Sequence, residues 1–283
     1  METVAIVGVG LIGGSFALAL RHAGFQGRIL GVSSPRTLEK ALRRGAIDEA
    51  LPLEEAAAQA DLIYLSQPIR TILDTIPALN AVVRPDALVT DAGSTKARIV
   101  RLASEKLTRA RFLGGHPMAG KERRGVEAAD AGLFRGCAYI LTPLEPADLR
   151  TPAAAALIGW ITRIGARLLV LRPDQHDELA ALASHLPQLA STALACTLAS
   201  QPDQQELHQV AGPGLVDSTR LALSPYDIWR DILATNPEHI ERALSAYIET
   251  LEQMRTLAAS AAVEPQFLAG ARFASALRKV AGT

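Results

Sequence analysis

Residues 3–8, Thr-Val-Ala-Ile-Val-Gly, open the chain with an unbroken apolar run. A run of that length suits a strand buried on both faces of a parallel sheet. The period then changes. Residues 11–23 place their apolar positions at helical spacing and stop at Gly24, a residue that closes helices because it tolerates left-handed dihedrals. Residues 28–32 read as a second strand and 37–44 as a second helix, stopped by Gly45. Short apolar runs at 61–66, 88–91, 113, 139–141 and 166–171 predict further strands, and 153–164 predicts a helix. Strands that alternate with helices need crossover connections, and so a largely parallel sheet.

The texture changes after Arg172-Pro173. No strand pattern follows, and helical patterns cover 176–198, 204–210, 226–235, 237–259 and 265–279. Asn236-Pro237 resembles a cap followed by proline at the first helical position. The expected fold is therefore α/β. An N-terminal Rossmann-type, doubly wound parallel sheet spans 1–172, and an all-α C-terminal domain spans 173–283. The alanine- and leucine-rich helices of the second half suit packing on one another and the contacts of a homodimer.

Composition narrows the class. Of 283 residues, 49% are hydrophobic, enough for a sizeable core, and 29 basic residues balance 29 acidic ones. That balance offers no electrostatic reason for a nucleic-acid or membrane partner. No signal-peptide pattern precedes the first strand. No uninterrupted apolar run approaches the ~20 residues of a membrane span. A soluble, cytoplasmic protein is expected. Cys137 and Cys196 form no CxxC pair, so they are expected to be buried, reduced thiols rather than a disulfide or zinc site.

The strand-to-helix junction Gly8-Val9-Gly10-Leu11-Ile12-Gly13 carries the first candidate chemistry. Gly8 permits the tight turn, Gly10 lets a pyrophosphate approach the backbone, and Gly13 lets helix and strand pack closely. Phosphates would then meet the first-turn amides of Leu11 and Ile12, at the positive end of the helix. The second strand ends Ser33-Ser34-Pro35-Arg36 without the carboxylate that usually binds the ribose hydroxyls of NAD. Two hydroxyls and an arginine suit a 2′-phosphate, which favours NADP over NAD. Gln67 and Pro68 end another strand on the same sheet edge, where they line the cofactor or form a simple loop. Asp91-Ala92-Gly93-Ser94-Thr95-Lys96 leads from a strand into a helix. In Gly114-Gly115-His116-Pro117-Met118-Ala119-Gly120 a histidine sits between small and rigid residues, in what reads as a constrained loop that presents it to a ligand.

These motifs together resemble the prephenate and arogenate dehydrogenases of tyrosine biosynthesis. The resemblance extends through Asp174-Gln175-His176-Asp177, Ser184-His185-Leu186-Pro187, the segment from Gly212 to Arg220, and Trp229-Arg230-Asp231-Ile232. It implies oxidation of a cyclohexadienol to an aromatic product, with loss of carbon dioxide and hydride transfer to NADP or NAD. His116 would take the hydroxyl proton. Ser94 would hydrogen-bond the same hydroxyl or His116, or else cap the following helix. Arg220 would pair with a substrate carboxylate, at a cost of about 3–5 kcal/mol on removal if that pair is buried. Trp229 would wall the substrate site or pack between helices, and His185 reads as structural. No metal is implied, and the histidines lack metal-ligand spacing. Many prephenate-using members close the SHLP segment with a second histidine, where this chain has Gln188. An amide cannot become cationic, and it tolerates the ammonium of arogenate better than a charged histidine would.

Two other readings compete with this one. A β-hydroxyacid-type dehydrogenase shares the architecture but uses a lysine on a helix of its second half, and this chain has no lysine between Lys121 and Lys279. A non-catalytic NADP-binding sensor would have no need of His116, Ser94 and Arg220 together.

Overall fold

A computed structural model describes residues 1–121 and 123–281. Residues 1–237 form one compact unit and 238–283 a second.

The first unit is built on eight strands: β1 Thr3–Val7, β2 Arg28–Val32, β3 Glu49–Ala50, β4 Leu62–Leu65, β5 Leu88–Asp91, β6 Arg111–Pro117, β7 Ala138–Thr142 and β8 Arg167–Val170. Their spatial order is β3-β2-β1-β4-β5-β6-β7-β8. The first six run parallel. β7 is antiparallel to β6 and parallel to β8. The helices between strands are α1 Leu11–His22, α2 Pro35–Arg43, α3 Leu53–Gln59, α4 Ile69–Val82, α5 Ala97–Lys106 and α6 Pro152–Arg163. From β1 the chain winds outward through β2 and β3, then returns to lay β4 on the other side of β1. That reversal opens a crevice at the carboxyl ends of β1 and β4, the place where open α/β sheets bind ligands.

The core sits between α1 and the sheet. Phe16 stacks on Tyr64 with centroids 4.1 Å apart, and the edge of Phe134 meets Phe16 at 6.3 Å. α1 lies this close because a Cβ on Gly13 would stand 2.3 Å from the Gly8 carbonyl oxygen.

The segment read as a loop around His116 is instead the end of β6, with His116 opposite Ile140 of β7. Its glycines serve packing: a Cβ on Gly114 would come within 2.3 Å of Thr142 Oγ1, and one on Gly115 within 2.7 Å of the Asp91 carbonyl. β3, α3 and α4 were not anticipated. β3 is only two residues long, and Pro77 inside α4 masks its helical period.

After β8 the first unit continues through α7 Pro173–Ala180, a π-helical turn Ala181–His185, α8 Leu186–Ala199, α9 Gln204–Val210, α10 Pro213–Thr219 and α11 Tyr226–Thr235. α7 to α8 is one continuous helical run, and by length and hydropathy it is the one described helix able to cross a membrane. The sequence reading had found none. The run carries the buried His176 and Asp177, and Asp177 is hydrogen-bonded to the start of α5. The cysteines are less buried than expected. Cys137 is half-buried, and Cys196 is exposed on the outer face of α8.

The second unit consists of most of α12 Pro237–Leu257 and of α13 Glu264–Ala281, joined through a short 3₁₀ turn. Both helices leave large apolar side chains exposed, among them Ile248, Leu251, Phe267 and Phe273.

Candidate active site

The crevice between β1 and β4 is shaped by its glycines. Gly8 has φ +96°, a left-handed value that favours glycine, and the Ser66 hydroxyl donates to its carbonyl at 2.8 Å. A Cβ on Gly10 would meet nothing within 4 Å, so that residue borders open space. α1 begins there with no side-chain cap and no acidic residue in its first turn. Its leading amides are thus left for an anion. A cleft of about 330 Å³ is walled here by Leu11, Ile12, Gln67, Pro68 and Ser94, with Lys121, Arg123 and Arg124 also on its lining. Thr75 donates to the Gln67 side-chain oxygen at 3.1 Å. Ser33, Ser34 and Arg36 do not line this cleft. They lie at the junction of β2 and α2, where Ser34 shares a 2.9 Å hydroxyl bond with Thr37 and Arg36 is exposed.

A second cleft, of about 570 Å³, brings together Gln188, Arg220 and Trp229, and shares Lys121, Arg124 and Ile228 with the first. Gln188 is buried, and its amide nitrogen donates to the Leu221 carbonyl at 2.8 Å and to the Thr192 hydroxyl at 3.1 Å. Both amide protons are thereby spent, and only the side-chain oxygen is left to offer, as an acceptor. Trp229 donates to Ser224 at 2.8 Å and meets the ring of His185 edge-on at 6.0 Å, so it both packs and lines the cleft. Arg220 is exposed. The burial on which its expected 3–5 kcal/mol depended is absent, and a charge-assisted hydrogen bond of about 1.5–3 kcal/mol is the appropriate scale. At the shared wall, Arg124 makes a two-pronged pair with Asp227, both contacts 2.7 Å, which raises the arginine's pKa and lowers the carboxyl's.

Beneath the clefts runs a buried polar chain. Lys96 is fully buried. Its ammonium pairs with Asp91 and donates to the Gly115 carbonyl at 2.9 Å. Burial pulls its pKa down, opposed by Asp91 and Asp177. Asp91 also receives the amides of Gly93 at 2.9 Å and Gly115 at 3.1 Å. Asp177 on α7 receives the amides of Lys96 at 2.6 Å and Ala97 at 2.9 Å, and so caps α5 from a distant helix. This answers the alternative role for Ser94, which does not cap α5. Its hydroxyl has no partner among the described residues, and it faces the first cleft.

His116 lines neither cleft. It is 9% exposed, with Nδ1 2.8 Å from Nε2 of His176, whose own Nδ1 is 2.8 Å from Asp177. Nε2 of His116 has no hydrogen-bond partner among the described residues. Burial, and after it the charges of His176, Lys96 and His185, hold this imidazole well below its usual pKa of 6.5. It is neutral at neutral pH and able to accept a proton.

Sequence reasoning missed Lys121, Arg124, His176, Asp177 and Asp231. Asp231 accepts the Arg70 amide at 3.1 Å and so holds the start of α4 beside the first cleft. The acidic residues stood in quoted motifs, but capping of a distant helix leaves no local pattern.

Two sequence profiles together cover most of the chain. "Prephenate dehydrogenase, nucleotide-binding domain" matches residues 16–170, and "Prephenate dehydrogenase, dimerization domain" matches 172–273. Prephenate dehydrogenase of Lactococcus lactis is 33% identical, over 98% of this chain and 78% of that protein. The chain belongs to the prephenate dehydrogenase family. Among solved structures, prephenate dehydrogenase from Aquifex aeolicus, in complex with hydroxyphenyl propionate and NAD+, superimposes with TM-score 0.88 at 34% identity, covering 97% of each chain. Synechocystis arogenate dehydrogenase superimposes with TM-score 0.79 at 31% identity, covering 98% of each. The protein is thus an NAD(P)-dependent prephenate dehydrogenase-type oxidoreductase of tyrosine biosynthesis, and the hydroxyacid-dehydrogenase and sensor readings are set aside.

Proposed function

We propose that this dehydrogenase oxidises arogenate, in preference to prephenate, and uses NADP in preference to NAD. The carrying observation is Gln188. With both amide protons spent on Leu221 and Thr192, it offers the substrate cleft an acceptor only. The side-chain ammonium of arogenate donates hydrogen bonds, and the keto group of prephenate cannot. The end of β2, with Ser33, Ser34 and Arg36 and no carboxylate, supports the 2′-phosphate.

The residues present fit a dinucleotide. Gly10 borders open space, and α1 begins uncapped, so Gly8, Gly10, Leu11, Ile12 and Gly13 would hold the pyrophosphate while Gln67 and Pro68 flank the bound cofactor. When bound, the nicotinamide accepts the hydride. The chain's own groups do the rest. Nε2 of His116 accepts the ring hydroxyl proton as the carbon–hydrogen bond breaks. Ser94 orients that hydroxyl by a hydrogen bond. Arg220 holds a carboxylate, and Trp229 walls the ring. The electrons of the departing ring carboxylate complete the aromatic ring, and carbon dioxide leaves. Residues 173–283 form the substrate and dimerisation half in this reading, and the protein works as a cytoplasmic homodimer. The dimerisation profile over 172–273 and the exposed apolar side chains of α12 and α13 support the pairing.

A second reading, prephenate with NAD, is favoured by the names of the Lactococcus and Aquifex relatives. Steady-state kinetics on the four substrate–cofactor pairs separates them. Arogenate with NADP should give the highest kcat/KM, and prephenate with NAD at the top would overturn the proposal. His116→Asn should lower kcat by roughly 10²–10⁴-fold while dinucleotide affinity is kept. Retained turnover would remove His116 from the mechanism.

A further inference from the structure

Three buried side chains are joined by hydrogen bonds: Asp177, His176 and His116. Asp177 is an acceptor for three donors, the amides of Lys96 and Ala97 and Nδ1 of His176. A carboxylate acceptor 2.8 Å from Nδ1 requires the proton of His176 to sit on that nitrogen. Neutral His176 then carries a lone pair on Nε2. Nδ1 of His116 lies 2.8 Å from that lone pair, and two lone pairs do not face each other at such a distance. The proton of His116 must therefore sit on Nδ1, which leaves the lone pair on Nε2.

We infer that His176, locked by Asp177, is a positioning residue that holds His116 in the tautomer able to act as a base through Nε2. The assignment of His116 as the base is taken from the function proposed above. Which ring nitrogen of a histidine carries the proton is set by the hydrogen bond the other makes, and here that bond is internal and shielded. The other groups around the line are fixed as well. Lys96 is bound to Asp91 and the Gly115 carbonyl, and Asn236 donates to the Asp177 carbonyl at 2.8 Å and lies 3.4 Å from Nδ1 of His185. Burial keeps His176 neutral, since its pKa also lies below the ordinary 6.5. Proton transfer from the substrate forms the Nε2–H bond of His116 and breaks the substrate O–H bond. The positive charge this creates is shared through the Nδ1–H bond to His176, with Asp177 behind it.

The test reads the tautomer directly. Long-range ¹H–¹⁵N correlation spectra of the histidine-labelled protein, with His116 assigned by its absence in His116→Asn, should show Nδ1 protonated and Nε2 unprotonated at pH 7.5. An Nε2–H tautomer in the wild type would overturn the inference. His176→Leu removes the acceptor. It should release His116 toward the Nε2–H form and lower kcat by about 10²-fold, with KM and dinucleotide affinity little changed. His176→Gln restores an acceptor and should recover most of that loss. Equal losses in both variants with the wild-type tautomer retained would reduce His176 to packing and overturn the proposal. Should His176→Leu fail to fold, the wild-type spectrum and His176→Gln still decide. The base assignment fails separately: turnover surviving in His116→Asn removes the base, while the tautomer reading is independent of activity.

Discussion

The interior polar chain and the rim of the clefts are built on opposite terms. Asp91, Lys96, Asp177, His176 and His116 are buried, and each is held by hydrogen bonds to other protein groups. Arg220 and Arg124, by contrast, are largely exposed, and among the described residues Arg124 pairs with the surface carboxylate of Asp227. A group whose proton must be in one place at the moment of reaction gains from a site where nothing needs to reorganise. A group that captures a charged substrate from water gains from being hydrated and within reach beforehand. In the proposed function the two tasks fall to different groups, with preorganisation in the buried chain and capture at the exposed rim.

The sharpest way to break this contrast is to remove a charge from each side and compare. Lys96→Met leaves Asp91 buried with, among the described residues, the Gly93 and Gly115 amides as its donors. Loss of one partner from a buried pair costs about 3–5 kcal/mol, because an uncompensated charge stays behind. The urea unfolding midpoint should fall accordingly, and Asp91→Asn in the same chain should restore part of it. Arg124→Ala, which breaks the pair at the rim, should leave the midpoint almost unmoved. Equal losses in the two variants would mean that the interior pair is no more committed than the surface one.

Acid sharpens the same contrast with a smaller effect. His116, His176 and His185 all have pKa values held below 6.5 in the fold, mainly by burial, and that of His185 is about 4. Below pH 6.5 the unfolded chain binds protons that the folded protein refuses. This contribution to stability is therefore complete above 6.5 and is lost as the pH falls below it, and for His185 the loss runs down to about 4 at a limiting slope of roughly 1.4 kcal/mol per pH unit. The rim carboxylates shifted by ion pairs, Asp227 among them, have lowered values and contribute only in more acidic solution. Denaturant midpoints between pH 7 and 4.5 should decline across this window, less steeply in His185→Asn. A flat profile would show that the histidines are not kept neutral by the interior.

Much of this arrangement was legible in the chain, and the exceptions have physical causes. The glycine turn after the first apolar run located the crevice, because few other sequences make that strand-to-helix junction. Gly114 and Gly115 misled. Glycine commonly signals a loop, but here it allows a strand to pair where Thr142 and the Asp91 backbone leave no room for side chains. His176 and Asp177 sit in a segment whose spacing shows no role for them, because their partners lie 60 and 81 residues away. Only the packing of α7 against α5 and β6 brings them together. Ser94 was placed correctly after a strand, yet its local capping role went to Asp177, which sequence spacing cannot reveal. Gln188 showed as a departure from the family pattern. Which of its atoms is left without a hydrogen bond depends on the Leu221 carbonyl, 33 positions away.

The smallest effect belongs to the rim. Because Arg220 is exposed, Arg220→Gln should cost about 1.5–3 kcal/mol of transition-state binding, or roughly 10–150-fold in kcat/KM. The loss should shrink as salt is raised, since an exposed cation is screened where a buried one is not. Stability should be unchanged, in contrast with Lys96→Met. A change below threefold at low salt would take Arg220 out of substrate capture. A loss beyond 10³-fold that ignores salt would place it with the interior groups, shielded from water once substrate is bound, and the division between a fixed interior and a hydrated rim would then hold only for the free enzyme.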